Sequence, residues 1–221
     1  LYDSNLAPMA AAGLRYRLTE SNDYLGGVPG ASDAFASALW ALDHLHWWAA
    51  HGAAGVNFHN RRGLPTATIV PDPARPGAHA INPKGYGIKA FTLSSAGQVK
   101  PTRISNPDHV NLTAYCIGGP GEDYVTVINK AHGASAGDAA VTIAPPGPGL
   151  AAAEVMTLAG GQPGDARGAK ATLGGATITG DSPWSGSWTP LPADPRAGVS
   201  LTVRATTAAI VKMTSGRPRP R

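Results

Sequence analysis

Glu20 closes a short alternating run, Leu14-Arg15-Tyr16-Arg17-Leu18-Thr19-Glu20, and Ser21-Asn22-Asp23-Tyr24 and Gly26-Gly27 follow it. A carboxylate held at a strand end, with an amide (Asn22) and a phenol (Tyr24) just beyond, has the makings of a nucleophile. The strand fixes its position and the loop builds the walls around it. Glycoside hydrolysis needs such a group ionised and aimed at the anomeric carbon, and nearby hydrogen-bond donors serve both ends. A second cluster stands at the end of the next apolar run, Gly55-Val56-Asn57-Phe58-His59, where period two puts Asn57 and His59 on one face. If the two runs are parallel neighbours, both clusters open on the same side. The duller alternative makes Glu20 a solvated strand end, with Asn57 and His59 satisfying loop backbone.

The intervening residues read as the connection such a pair needs. Asn5 to Ala12 suits the end of a helix stopped by Gly13. After Pro29-Gly30, Ser32 is the expected N-cap of a long helix, with Asp33 in its first turn. Phe35, Leu39, Leu42 and Leu45 then recur on one helical face, and His51-Gly52 ends the element. Strand, helix and strand make one βαβ unit. Alone it cannot bury both faces of its strands, so further βα units are expected ahead of Leu1.

Beyond Arg61-Arg62-Gly63-Leu64-Pro65 the apolar period becomes two. Strands are expected over 66–70, 79–82, 110–117, 124–129, 139–143, 154–158, 172–173 with 177–178, 199–204 and 208–213, while 85–95 reads as helical or irregular. Short strands between Gly/Pro turns indicate an antiparallel β-sandwich. The expected organisation is therefore α/β plus all-β: 1–62 as part of a catalytic layer, 63–215 as a sandwich, and 216–221 as a disordered basic tail.

Composition agrees. Of 221 residues 43% are hydrophobic and only 14% charged, with 28 Gly and 20 Pro, which favours many short strands over a bundle. The net charge of +4 is scattered apart from Arg217-Pro218-Arg219-Pro220-Arg221, so no basic stripe with stacking aromatics argues for nucleic acid. No apolar run reaches membrane-spanning length. The single cysteine, Cys116, excludes an internal disulfide and reads as a small buried strand residue. His44 and His46, two apart on a helix, do not converge on one ion, and no zinc spacing is present. Gly26-Gly27-Val28-Pro29-Gly30 is interrupted by proline and opens no helix as a dinucleotide turn does. Neither a metal nor a cofactor is expected. Trp40, Trp47 and Trp48 suit core packing. Trp184 and Trp188 suit the sealing of a sheet edge, with sugar stacking as the alternative. The sequence sets no compartment, and a secreted or periplasmic bacterial setting is compatible with it.

The segments Tyr16 to Tyr24, Gly26-Gly27, Pro29-Gly30, Ser32 to Asp43 and Gly52 to His59 together resemble glycoside hydrolase family 79, the group that contains bacterial β-glucuronidases and heparanase. Lys84-Gly85-Tyr86-Gly87-Ile88-Lys89-Ala90-Phe91 resembles the family segment leading into its C-terminal β domain. The resemblance implies the last two strands of a (β/α)8 barrel followed by a β-sandwich. It further implies a retaining hydrolase with Glu20 as nucleophile, and a β-glucuronide or related glycan as partner. Asn22, Tyr24, Asn57, His59, Arg61, Arg62 and Gly63 would line the sugar site. The family's acid/base glutamate lies in an upstream Asn-Glu pair; this chain has no such pair, so it would be inactive alone. The family's Gly-Tyr element after the eighth strand reads here Asn60-Arg61-Arg62-Gly63-Leu64, where an arginine would have to meet a uronate carboxylate. A non-catalytic carbohydrate-binding or structural sandwich is the competing reading.

Overall fold

The computed structural model describes residues 2–134, 136–145, 149–180 and 182–216. Residues 217–221 of the expected basic tail fall outside them. A π-helical turn over Tyr2–Leu6 runs into α1 (Ala7–Ala11). β1 (Tyr16–Ser21), α2 (Ala36–Ala50) and β2 (Ala53–Phe58) then form the βαβ unit, with β1 and β2 parallel. A small antiparallel pair, β3 (Ile69–Pro71) and β4 (His79–Ile81), leads to α3 (Pro83–Ser94).

Most of the remaining strands build one large antiparallel sheet. Its strands are β5 (Gln98–Lys100), β6 (Leu112–Gly119), β7 (Glu122–Asn129), β9 (Leu150–Gly160), β10 (Ala171–Leu173), β11 (Thr189–Leu191) and β13 (Thr207–Ser215). Their order is β10-β9-β13-β7-β6-β5, and β11 also pairs with β9. β8 (Ala139–Ile143) and β12 (Val199–Val203) make a separate antiparallel pair.

The expected sandwich is therefore lopsided. On one face Val125, Val127, Val155 and Val211 meet Val141, Ile143, Val199 and Leu201 of the β8–β12 pair. The other face is covered by helices: Leu39 and Leu42 of α2, Phe35 just before it, and Tyr86 and Ala90 of α3 pack on Ile128, Met156, Leu158 and Ile210. Each such fully buried large side chain contributes about 1.5–3 kcal/mol. The two helices approach closely at Gly87, where a Cβ would overlap the carbonyl of Ala38. Trp184 and Trp188 lie at the margin of this core, and Trp184 donates Nε1–H to the Leu173 carbonyl at 3.2 Å.

Three local expectations are corrected. Ser32 does not cap α2: its Oγ accepts the Val28 N–H, and the helix begins four residues later. The opening amides of Phe35 and Ala36 instead donate to the carbonyls of Gly168 and Ala166, at 2.7 and 2.9 Å, from a loop far along the chain. Residues 177–178 pair with no strand, and Cys116 is only half-buried. The thiol lines a groove of about 690 Å³ that runs along residues 101–108, β6, β7 and β8.

Candidate functional site

Strict alternation would put Glu20 on the same face as Tyr16. The strand does otherwise. Tyr16 reaches α2, donating its OH to the His51 carbonyl at 2.5 Å and meeting Trp48 edge-on. Ser21 also reaches α2, its Oγ lying 2.9 Å from Nε2 of His44. Two residues five apart share a face only if the strand is re-phased, and the pairing with β2 is irregular on both sides of Leu18. Such an irregularity re-aims the side chains beyond it. Arg17 and Glu20, three apart, consequently both lie on the side away from α2.

β2 matches this arrangement. Phe58 faces α2, packing near Trp40 and His44. Asn57 faces away and accepts a hydrogen bond from Arg17 at 3.2 Å. Gly55 leaves room for that guanidinium, since a Cβ there would lie 2.8 Å from Arg17 Nη2. Just past the strand, His59 Nδ1 stands 2.9 Å from Glu20 Oε1. Their side chains are 44% and 69% exposed, so the pair faces open space on the same side as Asn57.

The remaining predicted residues divide. Asn22 is committed to its surroundings: its Nδ2 donates to the His59 carbonyl at 2.9 Å and its Oδ1 accepts from Lys84 Nζ at 2.7 Å. Tyr24 is exposed, and its backbone N–H is held by Asp23 Oδ1 at 3.0 Å. Arg61, Arg62 and Gly63 lie together on the exposed turn leaving β2, where Leu64 N–H closes onto the Arg61 carbonyl at 3.2 Å. Sequence reasoning passed over Arg17, Asp23, Thr66 and Lys84, which hold these residues in place. The only available signals were a charged residue on the face opposite Tyr16 and a lysine in the first turn of an apolar helix.

Electrostatically the site has an exposed carboxylate–imidazole pair, Glu20 and His59, and a buried ammonium–carboxylate pair, Lys84 and Asp23. Lys84 is fully enclosed and Asp23 nearly so, with Nζ and Oδ1 3.7 Å apart. Burial pulls the Lys84 ammonium below its usual range, and Asp23 opposes that pull. Burial likewise lowers His44, with Asp43 opposing, so the imidazole beside Ser21 favours its neutral form. Among the described residues no three His, Cys, Asp or Glu side chains come together to hold a metal ion. No described helix is long and apolar enough to cross a membrane.

A carboxylate at a strand end, flanked by an imidazole and an amide-bearing neighbour strand, can attack an electrophilic carbon or hold a sugar hydroxyl. Solved structures share this fold. A 4-O-α-L-rhamnosyl-β-D-glucuronidase from Fusarium oxysporum superposes with a TM-score of 0.73 at 18% identity, over 95% of this chain and 46% of that one. A GH51 arabinofuranosidase from Xanthomonas axonopodis pv. citri gives 0.64 at 13% identity, covering 93% and 42%. A family 30 subfamily 8 xylanase from Clostridium acetobutylicum gives 0.60 at 9% identity, covering 94% and 45%. The fold is one that glycoside hydrolases share. The chain spans less than half the length of each of these enzymes. No protein-family model and no curated protein sequence matches it.

Proposed function

We propose that this chain carries the nucleophile of a retaining glycoside hydrolase acting on β-glucuronides or related glycans, and that the nucleophile is Glu20. The observation that carries the reading is the juxtaposition of Glu20 and His59 at the ends of adjacent parallel strands, on the side turned away from α2. That is where a barrel presents its catalytic groups. The fold shared with glycosidases, one of them a glucuronidase, supports it. So does the resemblance of residues 16–59 to glycoside hydrolase family 79.

In this mechanism Glu20 attacks the anomeric carbon, the glycosidic bond to the leaving oxygen breaks, and a glycosyl ester forms. Water then hydrolyses the ester. A second carboxyl group about 5–5.5 Å away must protonate the leaving oxygen and later activate that water. We assign it to βα units outside residues 1–221, which makes the chain inactive by itself. Exposed Leu14, Tyr24, Leu25 and Val28 surround the β1–β2 layer and suit burial by those units. His59 orients the Glu20 carboxylate, and Asn57, held by Arg17, faces the sugar. Asn22 and Tyr24 shape the wall after β1, while Arg61, Arg62 and Gly63 form the rim where a uronate carboxylate would be met. Residues 1–62 contribute to the catalytic layer and 63–215 to its β-rich support.

A 2-deoxy-2-fluoro-β-glucuronyl fluoride tests the assignment directly. Fluoride departs without a proton, so labelling depends on the nucleophile more than on the acid/base group. Peptide mapping should find the sugar on Glu20. Hydrolysis of an aryl β-glucuronide with the label on a different residue would overturn the reading.

A further inference from the structure

The loop after Glu20 rests on a buried cation. Lys84, in the first turn of α3, is fully enclosed. Its Nζ donates to Asn22 Oδ1 at 2.7 Å and to Thr66 Oγ1, and it stands 3.7 Å from Asp23 Oδ1. This is a costly choice of side chain. An enclosed ammonium gives up its hydration, and the first turn of a helix is the positive end of its dipole. For packing alone, an apolar side chain of similar length would serve better.

The charge organises what surrounds it. Asn22 accepts from Lys84 with one end of its amide and donates to the His59 carbonyl at 2.9 Å with the other. Asp23 accepts the Tyr24 N–H at 3.0 Å and the Thr66 hydroxyl at 2.8 Å. Gly27 (φ +87°) brings the returning loop so close that a Cβ would lie 2.6 Å from Thr66 N. One ammonium thus ties the two residues after Ser21, Asn22 and Asp23, to the end of β2 and to the segment entering β3.

We infer that Lys84 is a positioning residue: through Asn22 and Asp23 it fixes the ends of β1 and β2 relative to each other, and so holds the Glu20–His59 pair in its reactive arrangement without touching substrate. The inference rests on the proposed role of Glu20. A misplacement of the order of 1 Å at a reacting group costs up to about 100-fold in rate.

The test uses the protein as its gene encodes it, with Lys84→Met/Asp23→Asn, which strands no lone charge, and Asn22→Ala, which removes the bridge from Lys84 to the His59 carbonyl and leaves Lys84 with Asp23 and Thr66. Far-UV circular dichroism and thermal melting establish that each is folded. The readouts are the rate at which 2-deoxy-2-fluoro-β-glucuronyl fluoride labels Glu20, and kcat and KM for an aryl β-glucuronide. Both variants should label at least about tenfold more slowly, with the loss in kcat rather than KM. Wild-type labelling rates in a folded Asn22→Ala protein would overturn the inference while leaving Glu20 as nucleophile. A wild-type protein that takes no label on Glu20 overturns both.

Discussion

His59 Nδ1 and Glu20 Oε1 are 2.9 Å apart, at the ends of two parallel strands that are 38 residues apart in sequence at their paired positions Leu18 and Val56. The contact makes the two side chains a unit, and replacing either should be felt in catalysis before stability. Glu20→Gln keeps the shape and removes the proposed nucleophile, so aryl β-glucuronide turnover should fall by about 10³-fold or more. His59→Ala should lower kcat by roughly 10–100-fold, as expected for loss of an orienting contact. Neither side chain is buried, so melting temperatures should hardly move. Full turnover by Glu20→Gln would rule out Glu20 as the nucleophile.

Gly87→Ala pits two effects against each other. Alanine favours a helix interior over glycine by up to about 1 kcal/mol. Its Cβ would, however, overlap the backbone carbonyl of Ala38 on α2, and forced overpacking costs about 1–3 kcal/mol. The overlap involves backbone, which cannot rotate aside, so net destabilisation is expected. A urea midpoint higher than wild type would contradict it.

Asp43 anchors α2 to the large sheet. It accepts from Thr113 Oγ1 and Tyr115 OH, both at 2.7 Å, and from Lys130 Nζ at 2.8 Å. Burial first, and then Asp43, push the Tyr115 phenol upward. Asp43→Ala should cost about 2–3 kcal/mol, since hydrogen bonds to a charged acceptor are the stronger kind and partial exposure discounts them. Equilibrium denaturation measures this, and a change below about 0.5 kcal/mol would show that the contacts are incidental.

His46 should make the fold acid-sensitive. Stacked 5.1 Å from the Tyr115 ring and enclosed beside Ser94, it is held by burial at about 4, against a smaller upward pull from Asp43. The unfolded imidazole titrates near 6.5. Between those values the unfolded chain binds the proton that the folded chain refuses, so stability falls as pH drops from about 6.5 to 4. Above about 7 this group contributes no slope. The loss approaches about 3 kcal/mol at the bottom of the window. His46→Gln should flatten the dependence of the urea midpoint between pH 7.5 and 4.5, and an unchanged slope would assign the sensitivity elsewhere.

Local patterns in the sequence carried much of this. The expected strand at 139–143 coincides with β8, and that at 208–213 lies inside β13. β5 and β11 escaped notice because each is three residues long, and β11 contains Pro190. The start of α2 was misread because carbonyls of Ala166 and Gly168, over a hundred residues away, do the work of a side-chain cap. The aim of Glu20 was legible only by accident: period two assigns it to the face of Tyr16, and the irregularity around Leu18 moves it to the other. Asn57 and His59 needed no such correction. Lys84 was missed as a site component because an isolated lysine in an apolar stretch carries no pattern until Asn22 and Asp23 are brought to it.

α2 touches two layers at once. Trp40, His44 and Trp48 face β1 and β2, while Phe35, Leu39, Leu42 and Asp43 grip the large sheet. The helix is therefore a shared wall, and the sheet is no detachable appendage. Whatever tilts the large sheet tilts Glu20 with it, and trimming the chain after β2 would strip the wall of one of its two supports.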